Sequence, residues 1–180
     1  VYLDGGYDWS DPSFGASLGE LPISLDPPID ARVNLDAFKA WWIPTWWPGG
    51  DVGRIESYLR DISGVTSDGT LHPVPDSANA ARAFSVLLSE RRDYRKVKAP
   101  ALAIYSELFL SQPGKDSAAT QAIRGWERKH MVPFRAASQA RIRKELRGVE
   151  ITTVPGAHAS FMFISRDSVA AVMTRFRLGG

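Results

Sequence analysis

The chain has 180 residues, 44% hydrophobic and 23% charged, which bounds it to one globular domain with a real core and room for an inserted subdomain. Twenty-two Lys and Arg against twenty Asp and Glu leave a net charge of +2, too little to predict nucleic acid or another polyanion as partner. Cysteine is absent, which excludes disulfides, thiolate zinc sites and cysteine nucleophiles but fits either redox compartment.

Residues 1–3 (VYL) form a short β-type run ended by the turn residues Asp4-Gly5-Gly6. The chain opens without Met, directly in this apolar run, and so reads as a piece of a longer polypeptide. Residues 8–29 are rich in Pro, Gly and Asp and give no firm periodicity. A helix is expected over residues 35–42, with Asn34 or Asp36 as N-cap and Pro44 as a stop. IPTWWPGG follows as a breaker-rich loop carrying two tryptophans. Asp51 can cap a helix in which Val52, Ile55, Tyr58, Leu59 and Ile62 keep helical spacing. SDGTLHPVP reads as turn and extended chain. Asp76 is then expected to cap a helix to about residue 92, with Ala80, Ala83, Phe84, Leu87 and Leu88 on one face.

VKAPALAIYS is a continuous apolar run of the kind that a buried parallel strand requires. After QPGKDS, a helical stretch is expected over residues 118–147, broken near Pro133. VEITTVP is a second buried-strand candidate, ended by Pro155-Gly156. Ser165 or Asp167 opens a last helix with Val169, Val172, Met173 and Phe176 on one stripe. Strands alternating with helices predict an α/β fold, three parallel strands covered by helices. No apolar run approaches the roughly 18 residues of a membrane span, and no signal-peptide pattern opens the chain. The expectation is a soluble protein, with the cytoplasm as the favoured compartment.

The histidines differ in setting. His72, beside a proline in a connection, and His130, among charges, read as structural or solvated. His158 follows a buried strand in VPGAHASF, where Gly156 and Ala157 permit a tight turn. Reactive groups of open α/β sheets gather at the carboxyl ends of strands, so His158 is the candidate general base. Asp4 and Glu107 occupy the corresponding ends of the other two strands. Either can accept a hydrogen bond from Nδ1–H and fix the histidine's tautomer.

In order and spacing, VYLDGGYD, PALAIYSELF and VEITTVPGAHASFMFIS, followed by an amphipathic helix, resemble the C-terminal half of an α/β-hydrolase. The resemblance implies the sixth, seventh and eighth strands of that family, with a mostly helical cap inserted after the sixth. Residues 1–9 and 97–180 then belong to the hydrolase core and residues 10–96 to the cap. The family's catalytic histidine falls on His158. Its usual acid position, counted from Pro100, falls on Phe109, so the sequence departs from the common pattern, and Glu107 lies two residues early. Some members, including a group of haloalkane dehalogenases, carry the acid directly after the sixth strand, where Asp4 stands. Asp4 is therefore the favoured acid and Glu107 the alternative.

GASLG matches the G-x-S-x-G nucleophile elbow at Ser17. No buried strand precedes it and ELPISLDPP cannot carry the long helix such an elbow needs, so Ser17 is read as a residue at the start of the cap. The resemblance then implies a nucleophile and oxyanion hole upstream of Val1, and a 180-residue chain inactive alone. A serine there implies an esterase or C–C hydrolase, an aspartate a dehalogenase or epoxide hydrolase. Trp41, Trp42, Trp46 and Trp47 make the cap aromatic; the resemblance implies that the cap lines the substrate pocket, which suits a small, mainly apolar ester-like substrate, and for any single tryptophan packing in the cap's own core is the alternative. RRDYRKVK and RAASQARIRKELR are basic runs, read as solvated helix faces. No metal cluster, phosphate-cradling loop or dinucleotide fingerprint is present, so neither cofactor nor metal is expected. The alternative is a non-catalytic interaction module, or an inactive fragment, whose exposed sheet edge pairs with the missing half or with another chain.

Overall fold

A computed structural model describes residues 1–24, 27–65, 67, 71–72, 82, 85–86, 88–112 and 117–178. A parallel sheet of order β1–β4–β5 is built from β1 (Tyr2–Leu3), β4 (Leu102–Leu108) and β5 (Glu150–Ala157). Among the described residues, helices include α1 (Pro12–Leu18), α2 (Leu35–Trp46), α3 (Val52–Ile62), α4 (Ala118–Trp126), α5 (Val132–Glu145), α6 (Phe161–Ile164) and α7 (Arg166–Leu178). A small antiparallel pair, β2 (Gly64–Val65) and β3 (Leu71–His72), follows α3. The α/β class expected from the strand–helix alternation is the class observed.

The central strand explains the two-layer packing. Residues 102–106 are all buried, because helices cover both faces of the sheet. Ala101, Ala103 and Tyr105 point to one side, against Ile123, Trp126, Met131, Phe134 and Ile142 of the α4–α5 layer. Leu102 and Ile104 point to the other, against Val154, Phe161 and Val169. Alternation of period two thus feeds two cores from one apolar run. Leu35, Trp47, Ile55 and Leu59 form a third, smaller core within the segment expected to be the cap. Phe14 of α1, from the same segment, belongs instead to the main core, with Trp9 and Leu18 packed beside it.

Several local expectations are corrected. Residues 12–18 form a helix despite their lack of periodicity. Asp11 caps it by accepting from Ser13 N–H, and Pro12 opens it, where a missing N–H is harmless. Pro44 does not stop α2, which is capped by Asn34 and runs on to Trp46. In the loosened turn Thr45 Oγ1 donates to the Trp41 carbonyl at 2.7 Å. The long helix is not broken near Pro133. A π-helical turn over Glu127–Met131 precedes α5, and its wider hydrogen-bonding step accommodates the proline ring. β5 runs through Pro155-Gly156 to Ala157, since an edge strand tolerates a residue without N–H. Val52, Tyr58 and Met173 are exposed rather than on their apolar stripes. The helix expected from Asp76 falls largely outside the described residues, as does the side chain of His72. Leu88 packs against the main core.

Candidate functional site

β1 ends at Asp4, whose φ of 43° puts it in the left-handed region that few residues other than glycine enter. Its N–H still donates to the Ile104 carbonyl at 2.7 Å, so the strand ladder reaches this residue before the chain turns away. The turn needs glycine at position 6. A Cβ there would lie 2.6 Å from both Tyr105 Oη and Ile142 Cδ1. Tyr105 Oη donates to the Gly6 carbonyl at 3.0 Å and fixes this close approach.

The Asp4 carboxylate is almost fully buried and is held by the neighbouring strand. Oδ1 accepts from Ser106 N–H at 3.0 Å, and Oδ2 accepts from Ser106 Oγ at 2.5 Å. Oδ2 also lies 2.7 Å from His158 Nδ1. A carboxylate only accepts, so the proton of this pair sits on Nδ1. In the neutral ring this tautomer puts the lone pair on Nε2, and among the described residues no group is hydrogen-bonded to that atom.

His158 is delivered by a distortion of β5. The β4–β5 register shifts between Ser106 and Leu108, and His158 N–H donates to the Leu108 carbonyl at 2.9 Å. Gly156 has φ 111°, and a Cβ there would meet Phe161 Cα and Cβ at 3.0 Å. The small residue expected before the histidine is therefore required by both backbone and packing. The Phe109 ring stacks on the imidazole at 4.8 Å, and Trp9 and Tyr7 present edges at 6.0 and 6.4 Å. One imidazole face and edge are thus fixed by aromatic groups. The His158 side chain retains 36% exposure.

A buried pair braces this loop. Glu127 Oε1 accepts from Leu110 N–H at 2.8 Å and from Phe109 N–H. Arg135 donates to the Glu107 carbonyl at 2.8 Å and to Tyr7 Oη at 3.2 Å, and lies 3.7 Å from Glu127. Burial raises the Glu127 pKa, opposed by the two N–H bonds and the Arg135 charge. Burial, reinforced by the Asp4 charge, pushes the Tyr7 hydroxyl far up and keeps it a protonated donor. A cavity of about 390 Å³ opens at His158, bounded by Leu3, Trp42, Trp46, Trp47 and Phe163. A neighbouring cavity of about 450 Å³, between Trp47, Ile55, Arg54 and Ile164, does not reach the histidine.

Of the residues singled out from sequence, Asp4 and His158 are brought together. Glu107 is exposed, and among the described residues its carboxylate makes no hydrogen bond or ion pair; only its backbone carbonyl is engaged. Ser17 is buried in α1, its Oγ donating to the Phe14 carbonyl at 2.7 Å and its carbonyl accepting from Trp126 Nε1 at 2.9 Å. No strand leads into it. His130 is not solvated as expected: its ring is largely covered beside Trp126, with Nε2 3.1 Å from Glu20. Ser106, Phe109 and Glu127 carry no motif. The first two stand out in sequence only where PALAIYSELF departs from the hydrolase pattern, and Glu127 is hidden in a charged helix. Among the described residues no three His, Asp or Glu side chains converge as a metal site, and no helix is long and apolar enough to cross a membrane.

Compared with protein-family models, with curated proteins and with solved structures, the chain matches none.

Proposed function

We propose that this chain is the C-terminal portion of an α/β-hydrolase, supplying the base and the orienting acid of a nucleophile–His–acid triad together with its cap. The observation that carries the reading is the 2.7 Å contact between His158 Nδ1 and an Asp4 carboxylate already locked by Ser106. In this role Nε2 takes a proton from the water that attacks a covalent intermediate, and Asp4 stabilises the imidazolium that forms. The strand order and the PGAH histidine agree with the resemblance in the sequence. The aromatic wall beside His158 suits a small, mainly apolar ester-like substrate. The nucleophile and the oxyanion donors come from polypeptide outside these 180 residues, seated over the exposed apolar face of Leu3, Met162 and Phe163 beside the His158 cavity. That same exposed face is what favours the second reading, a non-catalytic module that binds another chain.

Hydrolysis of short-chain aryl esters separates the two readings. It is measured on the 180-residue chain alone and joined to the residues encoded ahead of Val1. The joined polypeptide is expected to hydrolyse ester and the chain alone is not. His158→Ala in the joined form lowers kcat by about 10³-fold or more. Unchanged activity in His158→Ala removes the enzyme reading. Activity of the chain alone that is abolished by Ser17→Ala assigns the nucleophile to the GASLG motif instead.

A further inference from the structure

The whole chain is nearly neutral, but its cations are not evenly spread. Residues 91–98 and 141–147 together hold nine Lys and Arg and two carboxylates, whereas the remaining residues hold thirteen and eighteen. These segments are far apart in sequence, and the fold sets them side by side. Arg141 donates to the Arg92 carbonyl, and its guanidinium lies 5.2 Å over the Tyr94 ring. Between them lie two adjoining cavities of about 480 and 260 Å³, both lined by Arg91, Arg95, Arg141 and Glu145. Lys144 closes one end and Arg92 with Asp93 the other.

The cations of this cleft divide by how they are engaged. Arg141 is mostly covered and holds Asp8 at 2.9 Å and Glu145 at 3.0 Å, so it forms the floor and fixes the geometry. Arg95 pairs with Asp93 at 2.8 Å while remaining three-quarters exposed. Arg91 reaches Asp8 only at 3.5 Å and is also exposed. Arg92 touches no carboxylate, donating to the Gly5 carbonyl at 3.4 Å, and Lys144 has no ion pair among the described residues. Five cations, Arg91, Arg92, Arg95, Arg141 and Lys144, thus face three acids, Asp8, Asp93 and Glu145, so the cleft keeps a positive excess, carried by Arg92 and Lys144, which have no ion pair among the described residues. Guanidinium forks match the geometry of phosphoryl oxygens, and a concave cationic site focuses potential on a compact anion.

We propose that this cleft binds the phosphoryl group of a small soluble phosphate ester or diphosphate, gripped by Arg91, Arg95 and Lys144 above Arg141. The site lies away from His158, and the inference does not depend on the hydrolase reading. Arg141 to Lys144 stand about 9–14 Å further along α5 than Arg135, which braces the His158 loop.

The probe is inorganic pyrophosphate, titrated into the full 180-residue chain and followed by calorimetry and amide chemical shifts. Saturable binding with shift changes confined to residues 91–98 and 140–145 is expected. Arg91→Gln with Lys144→Gln, both on exposed side chains, weakens it by about tenfold or more. Arg175→Gln with Arg177→Gln, an equal charge change on α7, leaves it unaltered. Overturning results are the absence of saturable binding, or equal weakening by the two double variants, which reports only general attraction. Co-sedimentation with phosphatidic acid vesicles provides the other arm. Capture by vesicles without pyrophosphate binding also overturns the proposal, by assigning the cations to a lipid surface.

Discussion

At the scale of single residues, Asp4 is constrained from two directions, and this makes its chemistry testable. Its Oδ1 must accept the Ser106 N–H, which leaves Oδ2 for His158. In Asp4→Asn the amide oxygen takes the place of Oδ1, so the amide NH₂ faces the imidazole. His158 Nδ1 must then accept, and the ring proton moves to Nε2. Nitrogen chemical shifts of the imidazole are expected to report an Nδ1–H tautomer in the native chain and an Nε2–H tautomer in Asp4→Asn. Retention of Nδ1–H in the variant contradicts the geometry. Glu127 allows a second test. Burial holds its carboxyl above the ordinary glutamate value of 4.5, so over that interval the folded state binds more protons than the unfolded state. Stability therefore falls as pH rises from about 4.5 through the folded value. Glu127→Gln lacks this contribution. Urea unfolding of both proteins across this range is expected to show the native chain losing stability relative to the variant as pH rises.

At the scale of elements, strand ends are what assemble the site. β1 has only two residues, yet it delivers Asp4 because its ladder to β4 continues through the Asp4 N–H. β5 delivers His158 because the register shift at Ser106–Leu108 turns the chain toward β4. Gly156 is the hinge of that turn. Gly156→Ala has to hold an alanine at φ 111° and place its Cβ against Phe161, and is expected to destabilise the fold by about 1–3 kcal/mol. The unfolding midpoint in urea checks the magnitude, and displaced imidazole resonances of His158 check that the strain reaches the site. The cap side is coupled to the same turn. Trp47 Nε1 donates to the Ala159 carbonyl at 2.6 Å, so the small aromatic core behind α2 and α3 is tied to the residue after the histidine.

At the scale of the whole molecule, β4 holds the two layers together. Ile104 is fully buried in the core on the α6–α7 side, while its neighbours serve the opposite core. Ile104→Ala is expected to cost about 2–5 kcal/mol, read as a lower urea midpoint at unchanged slope. That β4 would be buried on both faces was legible in PALAIYS alone, because a parallel strand covered by two layers has no solvent face to mark with polar residues. The strand–helix order, the cap at Asp51 and the position of His158 after a small-residue turn were legible for similar local reasons. Pro44 and Pro133 misled because a proline forbids one hydrogen bond, whereas whether the helix survives depends on what fills the loosened turn. His130 misled because its cover comes from Trp126 and Glu20, and α1 was missed because its signal lies in its cap rather than in its periodicity. The sequence by itself determined the three parallel strands, the helices that carry a period and two acids able to meet the histidine, since these follow from local spacing and chain order. Only the tertiary structure decided between them: Ser106 fixes the Asp4 carboxylate toward His158, while the Glu107 side chain points to solvent. It also set the two basic runs around one cleft, because the contacts that join residues distant in the chain have no period or motif to announce them.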